Sequence, residues 1–227
     1  MIHPTRFQPG AVLRKMARLV ACAVLAVTFS NCASTTSKEI RVSVRDQKMA
    51  LYDQGQLIRT YGVSTSKFGC GDTTSSNCTP IGKLRVAQKI GGGMPPGMVF
   101  KSRRATGEVI RPDAPGRDPI VTRIMWLSGA DTKTRNAYRR FIYIHGTPEE
   151  RNIGRPASYG CIRMRSMDII DLFNRVPVGT QVRIDRGGLP MEAKSMPEYV
   201  YTPPVRSSTP GATGPASLSK ETGVASR

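Results

Sequence analysis

The chain has 227 residues, 39% of them hydrophobic, which is enough apolar material for one packed domain with extensions and excludes wholesale disorder. Its formal charge is +18, from 34 Lys and Arg against 16 Asp and Glu, a balance that favours anionic partners. Four surplus cations lie in residues 1–34 and one net in 187–227, which leaves +13 between them and no aromatic-rich basic motif of the kind that binds nucleic acid.

Residues 1–34 read as an export signal. Arg6, Arg14, Lys15 and Arg18 form a basic front, and the apolar run from Leu19 to Val27 is short for a bilayer span, a single membrane anchor being the alternative. Phe29-Ser30-Asn31-Cys32 is similar to a lipobox, which makes Cys32 a lipidation candidate and a membrane tether, although Asn31 stands where a small residue is expected. Ala33 and Ser34 suit ordinary cleavage instead. Either route places the protein in the periplasm or cell envelope, away from nucleic acid.

An exported chain makes sense of five cysteines. Cys22 and Cys32 fall in the signal. Cys70 and Cys78 bracket a polar loop and are a disulfide candidate, worth about 2–3 kcal/mol in an oxidising compartment. Their spacing is not Cys-x-x-Cys and no histidine is near, so no metal or other cofactor is expected. Cys161 is the odd thiol.

From Ile40 the pattern is that of strands. Ile40, Val42 and Val44 alternate with Arg41, Ser43 and Arg45, the period of a half-buried strand. The runs 49–52 and 56–63 flank Asp53-Gln54-Gly55, a hairpin turn, so a meander is the simplest topology. Residues 83–90 follow as a strand with Leu84, Val86 and Gln88 on one face. The Gly- and Pro-rich stretch 91–118 is a long insertion with short strands near 98–100 and 108–110, either a flap over the site or a solvated loop. Residues 120–127 read as a central buried strand carrying the single Trp126, expected in the core and alternatively a sugar platform; a short basic helix or turn follows over 132–140. Ser166 is placed to cap a helix from Met167 to about Arg175, and 180–184 give a last strand. Residues 187–227 are rich in Gly, Pro, Ser and Thr and read as a disordered tail.

The stretch 143–165 carries the chemistry. His145 ends the apolar run Phe141-Ile142-Tyr143-Ile144, and Cys161 sits in a Ser-Tyr-Gly-Cys turn 16 positions later, a separation that permits contact in space. A thiolate is a strong nucleophile, and an imidazole in reach can take its proton and return it to a leaving amine.

Ile144-His145-Gly146-Thr147 followed by Ser158-Tyr159-Gly160-Cys161-Ile162-Arg163 resembles the active-site signature of the L,D-transpeptidase (YkuD) catalytic domain. Upstream, Tyr61-Gly62-Val63-Ser64-Thr65-Ser66 and Thr79-Pro80-Ile81-Gly82 extend the resemblance, which covers about 37–185 within a domain taken as 35–186. It implies a mainly β fold, a sandwich or meander of strands with one or two short helices, acting on peptidoglycan stem peptides as a monomer. It gives Cys161 the role of nucleophile, His145 that of general base and acid, and Gly146 that of orienting His145 through its backbone carbonyl. Tyr159 and Gly160 would contribute to the oxyanion site, and Arg163, Ser158 and Tyr143 would contact substrate. Many family members carry a histidine where this chain has Tyr159, a phenol that is a poor base near neutral pH. Arg163 fits two roles, gripping a substrate carboxylate or pinning the turn. The reaction expected is acyl transfer through a Cys161 thioester to an amine, giving an L,D cross-link. Transfer to water or attachment of a protein by the same dyad, a general cysteine peptidase, and a catalytically silent wall-binding protein are the alternatives.

Overall fold

The computed structural model describes residues 37–202; the expected export signal 1–34, the lipidation candidate Cys32 and the chain beyond 202 lie outside the described residues. Ten strands form one connected, mixed sheet, in keeping with the expected mainly β class. β1 (Lys38–Ser43), β2 (Lys48–Asp53) and β3 (Gln56–Gly62) make an antiparallel meander. Gln54 and Gly55 turn the second hairpin with φ of 50° and 79°, both positive as a type I′ turn requires.

The meander ends at β3. β10 (Gln181–Asp185) lies between β1, to which it is parallel, and β4 (Gly82–Ile90), to which it is antiparallel. The register explains the insertion: Val182 and Ile184 stand beside Ile40 and Val42, so four apolar side chains share the inner face. On β4, Leu84 and Val86 point inward, but the register shifts between Val86 and Gln88 and turns Gln88 out to solvent, against the expectation from alternation.

The hub is β7 (Ile120–Gly129), which pairs with β4, with β5 (Met98–Lys101) and with β8 (Tyr143–Gly146). β5 and β6 (Arg104–Val109) build the insertion into a hairpin. β8 runs parallel to β9 (Ile162–Met164). Helix α1 (Ser166–Arg175) covers β7 and β8 and buries Ile169, Leu172 and Phe173, each contributing about 1.5–3 kcal/mol relative to exposure.

Ser166 does not cap this helix. It is the first helical residue, Arg165 occupies the cap position without a side-chain bond, and Glu150 of a 3-10 turn (Glu150–Asn152) accepts the Ser166 N–H at 2.8 Å. The Ser166 hydroxyl accepts from Thr122 at 2.9 Å instead.

The first part of the expected disordered tail is ordered. Residues 187–202 pack on the domain: Leu189 and Ala193 of α2 (Met191–Ser195) and its approach are buried against Ala50 and Tyr52, and the Tyr199 N–H donates to Thr60 at 2.9 Å. Two apolar residues seated on one patch, with Tyr199 packed edge-on to Tyr61, outweigh the loop-like average composition. Among the described residues, no helix is long and apolar enough to cross a membrane.

Candidate active site

β8 and β9 bring the motif together. Their parallel register sets Ile144 beside Ile162 and His145 beside Arg163, which places Cys161 next to Tyr143 at the start of the pair. The Tyr143 N–H donates to the Cys161 sulfur at 3.4 Å, and the thiol donates to the Phe141 carbonyl at 3.4 Å. Nδ1 of His145 lies 2.8 Å from the Gly146 carbonyl oxygen. Among the described residues no hydrogen bond joins His145 to Cys161; the two side chains share one face of adjacent strands, two residues out of register.

Gly146 is required by its neighbours. On β7 the register shifts between Val121 and Ile124, opposite Gly146 and His145, and Thr122 takes φ 72° there. A side chain at Gly146 would meet the Val121 carbonyl oxygen at 2.7 Å, so only glycine lets the bulge close on β8.

Burial sets the proton affinities. It lowers His145 to about 4, with Arg163 pushing the same way and the Gly146 carbonyl opposing. Burial raises Cys161 to about 11, opposed by the Tyr143 N–H and by Arg163 and Arg140. At neutral pH the resting pair is a thiol and a neutral imidazole. With Nδ1 donating to Gly146, the Nε2 lone pair is free to accept a proton.

The Ser-Tyr-Gly-Cys turn is pinned from inside. Ser158, fully buried, donates to the Cys161 carbonyl at 2.6 Å and accepts from the Gly160 N–H at 3.2 Å. Thr79 donates to the Gly160 carbonyl at 3.1 Å, which gives the Thr-Pro-x-Gly signature a physical task that its spacing did not reveal. The Gly160 N–H is therefore occupied, whereas those of Tyr159 and Cys161 have no acceptor among the described residues.

Several site expectations need correction. Arg163 is 8% exposed, with Nη2 2.6 Å from Asp118 and Nη1 3.7 Å from Glu149, so its fork is taken up by the protein and it pins the turn. Ser158 and Tyr143 are buried and do not line the cleft at Cys161. Tyr143 packs edge-on to Trp126 at 5.6 Å. Trp126 belongs to the core, stacked on Tyr138 at 4.1 Å and covered by Arg103 at 4.9 Å. Arg103 is the tip of the β5–β6 hairpin and also lies over Phe141, at 5.3 Å, so the insertion rests beside the cysteine turn. Phe141 itself is half exposed at φ 56° and stays outside β8. Cys70 and Cys78 are not bonded to each other in the structure, and the Cys78 thiol donates to the Phe68 carbonyl at 3.2 Å.

Cys161 opens on a cleft of about 400 Å³ whose walls include Ile142, Tyr159, Asn77, Asn136, Arg139 and Arg140. Tyr159 is 58% exposed there, with Lys67 3.0 Å from its hydroxyl and 4.4 Å from its ring centre. The pair Arg140–Asp72, at 3.0 Å, was not foreseen; it ties the loop after β3 to the turn before β8. No three His, Cys, Asp or Glu among the described residues group to hold a metal.

The family model described as the L,D-transpeptidase catalytic domain, YkuD, matches residues 37–184. The chain belongs to that family. A Bacillus subtilis protein provisionally named an L,D-transpeptidase, YqjB, is 29% identical over 143 residues, 63% of this chain and 68% of that one. The Escherichia coli K12 protein YbiS, also named an L,D-transpeptidase with reservation, is 45% identical over 60 residues, 26% of this chain and 19% of its own. A crystal structure of an L,D-transpeptidase from Mycobacterium tuberculosis H37Rv aligns over 66% of this chain and 57% of that one, at 14% identity and a TM-score of 0.43, a likeness too distant to carry functional detail. The chain thus spans less than two thirds of that L,D-transpeptidase.

Proposed function

We propose that the protein is a cysteine-dependent L,D-transpeptidase that cross-links peptidoglycan stem peptides through an acyl-enzyme on Cys161. The observation that carries this reading is the single cleft thiol flanked by two unoccupied backbone N–H groups, with an imidazole held in one tautomer on the adjacent strand.

In the first half-reaction the Cys161 proton passes to Nε2 of His145 as the thiolate attacks the carbonyl before a terminal D-Ala. That step needs the thiol to turn from the Phe141 carbonyl towards His145, a closure that substrate binding supplies in many apo sites. The tetrahedral oxyanion is held by the Tyr159 and Cys161 N–H groups. Its collapse breaks the amide bond, and Nε2 returns the proton to the departing D-Ala amine. A thioester remains. The side-chain amine of a diamino acid on a neighbouring stem then attacks it, forming the L,D amide and restoring the thiol.

The reading includes export by residues 1–34, action in the cell envelope and, through Cys32, a lipid tether; the basic front and apolar run support it. Mass spectrometry of purified muropeptides incubated with the protein and with Cys161→Ala is the test. Dimers that depend on Cys161 support transpeptidation. Release of D-Ala without dimers makes water the acceptor, and no change on either count removes the enzymatic reading.

A further inference from the structure

Two adjacent guanidinium groups line the Cys161 cleft, and one is already balanced. Arg140 is buried against Asp72 at 3.0 Å and donates to the Gly71 and Cys78 carbonyls at 2.9 and 2.6 Å. Arg139 is exposed in the same cleft and has no hydrogen bond or ion pair among the described residues. No carboxylate lines the cleft, so the Arg139 charge is uncompensated there.

The backbone beneath Arg139 is fixed while its side chain is free. The Asn136 N–H and side-chain amide are tied to Asp72 at 2.6 and 2.9 Å, the Arg140 N–H donates to Asn136 at 2.9 Å, and the Phe141 N–H donates to Tyr138 at 3.1 Å. Two residues beyond Arg139, the Phe141 carbonyl meets the Cys161 thiol. The other cations nearby are engaged: Arg163 with Asp118, and Lys67 with Tyr159.

A donor peptide attacked at its penultimate carbonyl carries its terminal carboxylate one residue further on, about 3.5 Å of extended chain. Arg139 and Cys161 line the same cleft of about 400 Å³. We propose that Arg139 reads the free terminal carboxylate of the donor peptide and makes the enzyme select an unblocked C-terminus. This rests on the acyl-transfer reading above. A guanidinium grips a carboxylate through paired N–H donors, so the same peptide with an amidated end loses that grip.

The test separates recognition from chemistry. Binding is measured on the full chain carrying Cys161→Ala, with a synthetic tetrapeptide ending in a diamino acid and D-Ala, as free acid and as C-terminal amide. The acid is expected to bind about tenfold more tightly than the amide, the preference shrinking in high salt. Adding Arg139→Ala erases the preference, and Arg139→Lys keeps part of it. With Cys161 present, Arg139→Ala raises KM for the acid about tenfold, leaves kcat within a few-fold, and leaves the amide unchanged. Equal binding of acid and amide, absence of binding, or a preference indifferent to Arg139 overturns the inference. An Arg139-dependent preference without acylation of Cys161 leaves it standing and removes the transpeptidase reading instead.

Discussion

The Nδ1 atom of His145 stands 2.8 Å from the carbonyl oxygen of Gly146. That one contact fixes which ring nitrogen carries the proton and leaves Nε2 as the base. Burial keeps the ring neutral down to about pH 4 and holds the Cys161 proton up to about pH 11, so the resting site contains no thiolate–imidazolium pair. Only the thiolate reacts with iodoacetamide, so alkylation of Cys161 without substrate should rise about tenfold per pH unit from pH 7 towards 10. Peptide mapping distinguishes Cys161 from Cys70 and Cys78. A rate that levels off below pH 8 would mean that the pair is already ionised.

Arg163 behaves as a structural cation. Its partners Asp118 and Glu149 are both partly buried, and replacing it by Met leaves their charges without a counter-ion. Urea denaturation of Arg163→Met should show a loss of about 3–5 kcal/mol. Pairing it with Asp118→Asn should recover part of the loss, because the uncompensated carboxylate is gone. A substrate-gripping Arg163 predicts a KM change with unaltered stability.

Asp168 gives a stability signature of known sign. Burial raises its carboxyl to about 7, the Glu198 and Glu150 carboxylates add to this and Arg165 at 3.6 Å opposes it, while one oxygen lacks any hydrogen bond. The folded state thus holds a proton that the unfolded chain gives up near 3.8. The stability linked to that proton is present below about pH 4 and disappears as pH rises through 7. His145 acts in the opposite direction, since its folded value of about 4 lies under its ordinary 6.5 and stability falls as pH drops between them. The difference between wild type and Asp168→Asn isolates the first effect: the variant should gain in melting temperature from pH 4 to 8. A constant difference across that range contradicts the assignment.

Ending the chain at Arg186 should destabilise it. Leu189, Ala193 and Tyr199 cover Ala50, Tyr52 and Tyr61, and Asp46 accepts the Leu189 N–H at 2.6 Å. Loss of that cover should remove about 2–4 kcal/mol and lower the melting temperature, as read by circular dichroism. An unchanged melting temperature would contradict a packing role for this segment.

That segment also shows where sequence reading stops. Window composition called 187–227 a tail because Gly, Pro, Ser and Thr dominate it, and composition does not register Leu189 and Ala193 meeting one patch or Tyr199 meeting Tyr61. The hairpin at Gln54-Gly55, the inward Ile40 and Val42, and the His145 and Cys161 signatures were all legible, because each is written within a few residues. The partners of Arg163, the Glu150 cap on α1 and the insertion of β10 beside β1 were not. Each joins residues far apart in the chain, and the Asp118 contact is what favours, of the two roles open to Arg163, the brace for the cysteine turn.

The central claim is a covalent acyl group on Cys161. Intact-protein mass spectrometry after rapid quenching, with a tetrapeptide donor and no acceptor amine, measures it directly. The wild type should gain the mass of the donor less D-Ala, mapping to the peptide that contains Cys161, and Cys161→Ala should gain nothing and release no D-Ala. An adduct on another residue, or D-Ala release undiminished in Cys161→Ala, would contradict the mechanism.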